Sequence, residues 1–187
     1  MVLDRFSLEG KTAIVTGAGT GLGKQMAVAL AQAGANIVAT AHSSVEGLDE
    51  TRHIVEKEGR QFLGVSLDLS KIESHDALIE KALERFNQID ILVNNAGIIR
   101  RSPVLEFTEE DWDQVLDLNL KSLFFLSQKV ARTMKTKGVR GKIVNIASLR
   151  VFQGGMHVVS YSASKGAVAS TTRAMANELA EFNINVN

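Results

Sequence analysis

Tyr161 and Lys165 stand four residues apart in the segment VVSYSASKGAVAS (158–170), where most other side chains are small. This spacing places both side chains on one face of a helix. Tyr161 is also the only tyrosine in the chain. An isolated phenol is too weak an acid to exchange protons readily near neutral pH, and a neighbouring ammonium group favours its ionised form. The pair therefore predicts a group that donates and accepts protons, although an exposed amphipathic helix would also fit.

Further polar residues stand where predicted strands end. Asp68 follows the third strand, the segment NNAG (94–97) follows the fourth, Ser148 closes the fifth, and Asn119 lies within a long helix. Singly, each could be a helix cap, a turn residue, a strand terminator or a buried amide. Together with Tyr161 they indicate general acid–base catalysis, because a serine hydroxyl can hold a carbonyl oxygen while the tyrosine exchanges a proton with it. A nicotinamide cofactor would then transfer the hydride.

A glycine-rich turn, TGAGTGLG (16–23), follows the first predicted strand. It departs from the pattern G-x-G-x-x-G because Leu22 stands where a glycine is required, and it reads G-x-x-x-G-x-G instead. At a first strand–helix junction, such glycines allow a pyrophosphate to approach the helix N-terminus closely. The turn thus predicts a dinucleotide site, with a glycine-rich loop that binds nothing as the alternative.

The end of the second predicted strand does not decide between NAD and NADP. An acidic residue there would bind the ribose diol of NAD, and an arginine would suit the 2′-phosphate of NADP. Ala41 and His42 occupy these positions. His42, Ser43 and Ser44 could form hydrogen bonds with either cofactor.

Strand-length apolar runs alternate with helical patterns along the whole chain. Because the runs are almost continuously apolar, they suit strands that are buried on both faces. The alternation predicts an α/β fold of the Rossmann type, a doubly wound parallel sheet with helices on both faces, in a single domain over 1–187. Thr108 is predicted as a helix N-cap, and Gly34, Gly59 and Gly141 should follow helix ends. The predicted strands are 12–16, 36–40, 61–65, 89–94 and 142–148, and the predicted helices 21–34, 46–58, 71–86, 109–137 and 160–182.

Composition argues against several classes of protein. The chain has 187 residues, with 21 basic and 21 acidic side chains, so no overall field would attract nucleic acid or an anionic membrane. It has no cysteine for disulfides or thiolate metal sites, and we expect no metal. The first residues lack an apolar signal core and no apolar run could cross a bilayer, so we expect a cytoplasmic protein. The last residues, NINVN, read as the opening of a strand, and we expect the fold to be C-terminally incomplete.

The ordered motifs resemble those of the classical short-chain dehydrogenases/reductases over essentially the whole chain. The matching stretches are T-G-x-x-x-G-x-G at 16–23 and N-N-A-G at 94–97, followed by Asn119, Ser148, Tyr161 and Lys165. The resemblance implies that Ser148 orients the substrate, that Tyr161 is the acid–base, and that Lys165 binds the nicotinamide ribose. Asn119 would hold a water that links Lys165 to solvent.

The same resemblance implies which residues bind the cofactor, and it favours NAD. The glycine turn would bind the pyrophosphate. The residues after the second and third strands would contact the adenosine, and the residues at the end of the fourth strand would line the path of the ribose. The implied contacts, besides Tyr161 and Lys165, are Gly17, Gly19, Thr20, Gly21, Leu22, Gly23, His42, Asp68, Leu69, Asn94, Ala96 and Gly97.

Longer stretches such as NNAGIIRR and NIASLRVFQGG are similar to the sugar-acid branch of this family. This implies oxidation of a secondary hydroxyl on gluconate or 2-dehydro-3-deoxygluconate, and a cation for the substrate carboxylate. Candidates are Arg100 and Arg101, just after the NNAG turn, and Arg150, two residues past Ser148, although solvated loop arginines would look the same. Ser148 and Tyr161 are the other expected substrate contacts. The family also implies a homotetramer. Reduction of a 3-oxoacyl thioester or another ketone, and a non-catalytic dinucleotide-binding chain, are the alternatives.

Overall fold

The computed structural model describes residues 2–43 and 45–187, so the expected ribose contact Ser44 lies outside the described residues. Six strands form one parallel sheet in the order β3-β2-β1-β4-β5-β6. The order reverses between β1 and β4, and this is the point at which open α/β sheets bind ligands. The strands are β1 (Thr12–Val15), β2 (Asn36–Ala41), β3 (Phe62–Ser66), β4 (Ile91–Asn94), β5 (Lys142–Asn145) and β6 (Asn185–Val186).

Helices connect the strands. They are α1 (Gly21–Gln32), α2 (Asp49–Lys57), α3 (Ser74–Phe86), α4 (Glu109–Leu116), α5 (Leu123–Thr136) and α6 (Val159–Leu179). Thr108 caps α4 as predicted, because its hydroxyl accepts a hydrogen bond from the Asp111 main-chain nitrogen at 3.2 Å. Within the described residues, none of these helices has the length and apolar character needed to cross a bilayer.

Alternate residues of each central strand belong to two different cores. In β1, Ile14 packs in the core formed with α3, α5 and α6, whereas Ala13 and Val15 pack in the core formed with α1 and α2. The alternation is the ordinary pleat of a strand, with successive side chains on opposite faces. Both faces of the sheet are therefore covered, which confirms the predicted Rossmann-type fold.

Several predicted boundaries are shifted in the structure, and three differences stand out. The fifth strand ends at Asn145, so Ser148 lies beyond it and begins a short 3-10 turn. The predicted helix 109–137 is interrupted by a π-helical segment, Asp117–Ser122, between α4 and α5. Gly138 follows the end of α5, with φ of +64°, instead of Gly141. Gly141 packs against Met134, where a Cβ would meet the sulfur, so close packing explains that glycine.

Candidate active site

The glycine turn between β1 and α1 is folded tightly against the segment that follows β4. Gly17 and Gly21 have φ of +64° and +54°, a region that glycine enters without strain. At Gly23 a Cβ would overlap the carbonyl oxygen of Gly17, so the turn has no room for a larger residue. The Asn95 side-chain amide donates to the carbonyl oxygens of Thr16 and Gly17 at 2.9 and 3.1 Å.

We predict that Gly23→Ala lowers the free energy of unfolding by about 1–3 kcal/mol, because the new methyl group overlaps the main chain of the turn. The matched control is Gly166→Ala in α6, where a Cβ meets no atom within 4 Å. That change should stabilise the helix by about 0.5–1 kcal/mol, since alanine is the better helix former. Urea unfolding of both variants checks the opposite signs. Equal stability of Gly23→Ala and the parent would contradict the close packing of the turn.

A cavity of about 820 Å³ lies over the carboxyl ends of β1, β2 and β3 and reaches α4. Half of the predicted cofactor contacts from the strand ends and the glycine turn line it: Gly17, His42, Asp68, Leu69, Ala96 and Gly97. The other six, Gly19, Thr20, Gly21, Leu22, Gly23 and Asn94, are not among its lining residues. Asn94 points into the core instead, where its amide donates to Ser127 Oγ and Asn145 Oδ1, both at 2.8 Å.

Asp68 is the carboxylate at the β3 end of this cavity. Its Oδ1 accepts hydrogen bonds from the Ser70 hydroxyl at 2.7 Å and the Ser70 main-chain nitrogen at 3.0 Å. The hydrogen bond from the Ser70 side chain is the main reason why the pKa of Asp68 is lowered. His42 Nδ1 lies 3.8 Å from the same oxygen. This end of the cavity therefore keeps a negative charge at neutral pH.

A second cavity, of about 410 Å³, brings Ser148 and Tyr161 together. Arg101 and Arg150 also line it, and Gly97 is shared with the larger cavity, so the two are adjacent. Arg100 does not line it. Its guanidinium binds Gln114 Oε1 at 2.8 Å and lies 3.3 Å from Asp111, on the wall of the larger cavity.

Lys165 lies one helical turn after Tyr161 and is almost fully buried, with 4% of its surface exposed. Its Nζ donates to the carbonyl oxygen of Ile146 at 2.5 Å and lies 5.8 Å from the centroid of the Tyr161 ring. Burial lowers the pKa of Lys165 to about 8, because the charged form loses its hydration. A buried ammonium beside a phenol is the arrangement that the sequence predicted.

Asn119 lies in the π-helical segment and is buried. Its Oδ1 accepts from the Ile98 nitrogen at 2.8 Å, and its amide donates to the Ile98 carbonyl oxygen at 2.9 Å and to Ser164 Oγ at 3.2 Å. Ser164 in turn donates to the carbonyl oxygen of Tyr161 at 2.8 Å. Asn119 thus connects the segment after β4 with α6, and both of its amide hydrogens are used in doing so.

Three residues that hold this site together had no predicted role in it: Thr16, Asn95 and Ser164, of which the first two stand in the matched motifs. Thr16 Oγ1 accepts from the main-chain nitrogens of Asn95 and Ala96 at 2.9 and 3.0 Å. The pair of asparagines at 94 and 95 was a usable signal, but it reads equally well as a turn.

The chain is similar to known proteins over its whole length. The model of the short chain dehydrogenase family matches residues 11–187. The chain belongs to the short-chain dehydrogenase family. A 2-dehydro-3-deoxy-D-gluconate 5-dehydrogenase from Dickeya dadantii (strain 3937) is 53% identical over 187 residues, which are 100% of this chain and 73% of that protein.

Two solved structures extend the comparison to cofactors. A protein from Agrobacterium tumefaciens, assigned as a 2-deoxy-D-gluconate 3-dehydrogenase and solved with bound NADP, is 49% identical with a TM-score of 0.88 over 97% of this chain and 71% of its own. A xylitol dehydrogenase with bound NAD+ is 32% identical, with a TM-score of 0.91 over 96% of this chain and 68% of its own. This member of the family is therefore an oxidoreductase that acts on CH–OH groups with a nicotinamide dinucleotide.

The residues present fit such a cofactor. At Gly21, the first residue of α1, a Cβ would meet no atom within 4 Å, and the Thr20 side chain forms no cap hydrogen bond, so the N-terminus of α1 is open to a pyrophosphate, which is favoured there. Asp68 and His42 offer hydrogen-bonding groups in the cavity of about 820 Å³, which Gly17 of the turn also lines. Within the described residues, no group of three or more histidine or acidic side chains is arranged to hold a metal ion.

Proposed function

We propose that this protein interconverts a secondary hydroxyl and a ketone on a sugar acid of the gluconate or 2-dehydro-3-deoxygluconate type. The observation that carries the proposal is the cavity of about 410 Å³ in which Ser148 and Tyr161 lie with two arginines. The name of the relative from Dickeya dadantii supports the substrate class.

Each catalytic side chain has a distinct task in this proposal. When the substrate is an alcohol, the ionised oxygen of Tyr161 accepts its hydroxyl proton, and in the reverse direction the phenol returns that proton to the ketone oxygen. The Ser148 hydroxyl donates a hydrogen bond to the same substrate oxygen. Lys165 stabilises the ionised tyrosine and Asn119 positions the elements around it. When bound, the nicotinamide dinucleotide supplies or accepts the hydride.

The substrate carboxylate is assigned to Arg101 and Arg150. Both line the smaller cavity, whereas Arg100 is held by Gln114 and Asp111 in the larger one. Guanidinium groups bind carboxylates through charge-assisted hydrogen bonds, which are stronger than neutral ones. The three arginines that the sequence offered as candidates therefore separate into two substrate contacts and one residue of the cofactor wall.

We predict that Arg101→Met raises KM for the sugar acid about tenfold, as expected for the loss of one charged hydrogen bond. The matched control is Arg140→Met, an exposed arginine that lines neither cavity. KM for a sugar alcohol of equal chain length should not change, because that compound has no carboxylate. A tenfold rise for both compounds would contradict the assignment.

We infer a preference for NAD over NADP, which the resemblance favours and the charges of the larger cavity support. Four acidic side chains line it, Asp68, Glu110, Asp113 and Asp117, and its one permanently cationic lining residue is Arg100, which lies 3.3 Å from Asp111. A 2′-phosphate carries about two further negative charges and would be repelled there. The relative solved with NADP shows that related proteins can differ, so the ratio of kcat/KM for the two cofactors tests the inference.

An assay of nicotinamide absorbance tests the function as a whole. Gluconate, 2-dehydro-3-deoxygluconate and a 3-oxoacyl thioester are each assayed with both cofactors. Turnover of the sugar acids supports the proposal. Turnover of the thioester alone would support the ketone-reductase alternative, and dinucleotide binding without any turnover would support a non-catalytic chain.

We also propose that residues 1–187 form a single dinucleotide-binding domain. The protein is proposed to work in the cytoplasm, where nicotinamide dinucleotides are available. Finally, we propose that it is a homotetramer. The last proposal is supported by the family resemblance and by α6, a helix of 21 residues with many small side chains, of which only five residues are buried within one chain. We expect light scattering after gel filtration to give four chains per particle. A monomer at micromolar concentration would contradict it.

A further inference from the structure

His75, the second residue of α3, is fully buried although histidine is usually at least partly exposed. Its Nε2 lies 2.9 Å from the carbonyl oxygen of Leu69 and 3.3 Å from Oγ of Ser122. A carbonyl oxygen can only accept a hydrogen bond, so Nε2 carries the hydrogen. It donates this hydrogen mainly to Leu69, and Ser122 Oγ accepts a weaker share of it. Burial lowers the pKa of His75, which agrees with a neutral ring.

The Leu69 end of this contact belongs to the larger cavity, whose wall includes Asp68, Leu69 and Ser70. The neighbouring residue of α3 acts in the same way, since the Ser74 hydroxyl donates to the carbonyl oxygen of Asp68 at 2.8 Å. Two successive side chains at the start of α3 thus hold two successive carbonyl groups of the turn after β3. These hydrogen bonds from α3 fix the position of the turn and of the Asp68 carboxylate.

The Ser122 end belongs to a different part of the site. Ser122 is buried and is the last residue of the π-helical segment that carries Asn119. Asn119 in turn holds the main chain of Ile98, a residue that lines both cavities. One imidazole ring therefore contacts both the turn at the β3 end of the cofactor cavity and the segment that positions Asn119.

The other ring nitrogen has no such role. His75 Nδ1 is buried and has no hydrogen-bond partner in the described part of the chain. A buried acceptor without a donor destabilises a fold, and an apolar side chain of similar size would avoid that cost. An apolar residue could not make the hydrogen-bond contacts that Nε2 makes.

We propose that His75 is a positioning residue that fixes the turn 68–70 relative to the π-helical segment, and so couples occupation of the adenosine end of the cavity to the placement of Asn119. The proposal rests on the proposed function only in assuming that the larger cavity binds a dinucleotide.

The first experiment is calorimetric titration with ADP-ribose, which reports on the adenosine half of the site and does not require turnover. We expect His75→Leu to raise Kd about tenfold, because the Leu69 carbonyl loses its donor. His75→Gln, whose amide can place a donor near the position of Nε2, should restore most of the affinity. The control is Leu78→Ala, a core residue of the same helix, which should lower the melting temperature without changing Kd.

The outcomes separate the two proposals. Absence of ADP-ribose binding to the parent protein would overturn the proposed function itself. Two results would overturn the positioning role alone, provided that the parent binds ADP-ribose. One is an equal Kd for His75→Leu and the parent, and the other is an equal loss of affinity in His75→Leu and Leu78→Ala.

The second experiment tests the coupling. Ser122→Ala should raise the Kd of ADP-ribose although Ser122 does not line the cavity, and it should have no further effect in the His75→Leu background. An unchanged Kd for Ser122→Ala would overturn the coupling. Should His75→Leu fail to fold, nitrogen NMR of the parent gives the answer: the His75 Nε2 resonance should shift on addition of ADP-ribose, and an unmoved resonance would overturn the proposal.

Discussion

Replacement of Tyr161 by phenylalanine should lower kcat by about 10²–10⁴-fold, the usual contribution of a general acid–base group. The ring keeps its place in α6 above Lys165, and only the oxygen that exchanges the proton is removed. Dinucleotide affinity should stay largely intact, because Tyr161 is only one of the predicted cofactor contacts. Stopped-flow measurement of nicotinamide absorbance gives kcat, and titration of the cofactor gives its Kd.

A neighbouring serine provides the control for this prediction. Ser162→Ala removes a hydroxyl from the next residue of α6, but Ser162 does not line the cavity that contains Tyr161 and Ser148. Its kcat should stay close to that of the parent. Turnover by Tyr161→Phe at the parent rate would remove Tyr161 from the mechanism.

Replacement of Lys165 by methionine should have two opposite effects, a loss of activity and a gain in stability at pH 7. Activity falls by about 10²-fold or more, because the ammonium that favours the ionised tyrosine is lost. Stability rises because the buried charge is removed. A pKa lowered from 10.5 to about 8 corresponds to roughly 3 kcal/mol, of which the lost charge-assisted hydrogen bond to Ile146 offsets about 2 kcal/mol.

The stability gain depends on pH in a defined direction. Below pH 8 Lys165 is charged in both the folded and the unfolded protein, so the parent bears the full cost of burying the charge. Between about pH 8 and 10.5 the folded parent has released the proton while the unfolded chain keeps it, so the parent's free energy of unfolding rises with pH. The difference between variant and parent should therefore shrink across this interval.

Urea unfolding of parent and variant at pH 7, 9 and 10 measures this difference. Lys81→Met is the matched control, because Lys81 is an exposed residue of α3 whose charge stays hydrated. It should change stability by less than about 0.5 kcal/mol at every pH. A Lys165→Met variant that is less stable than the parent at pH 7 would contradict the desolvation argument.

The sequence predicted the sheet, the helices and the pair of Tyr161 with Lys165 because these depend on local patterns. Apolar strands and helical periodicity report directly on which faces are buried, and an i, i+4 spacing keeps its meaning wherever the helix lies. The resemblance to a dehydrogenase family followed from motifs in a fixed order. The family model and the similar relatives confirm that the chain belongs to this family.

Other features depend on contacts between distant segments, and the sequence could not predict them. Arg100 and Arg101 are neighbours in the chain, yet the structure directs them to different cavities, because Gln114 and Asp111 bind only the first. His75 reads as an ordinary polar residue near the start of a helix until the fold brings Leu69 and Ser122 to its ring.

The π-helical segment Asp117–Ser122 has a consequence for the phase of the helix that contains it. A π turn holds one residue more than an α turn, and each residue rotates the helix by about 100°. Deletion of one residue from the segment would let a regular α-helix form. The side chains after the deletion would then be rotated by about 100° about the helix axis relative to those before it. Asn119 could then no longer face Ile98 while Val115 and Leu126 kept their places in the core. The extra residue is thus what allows one continuous helix to serve the core at both ends and the active site in the middle.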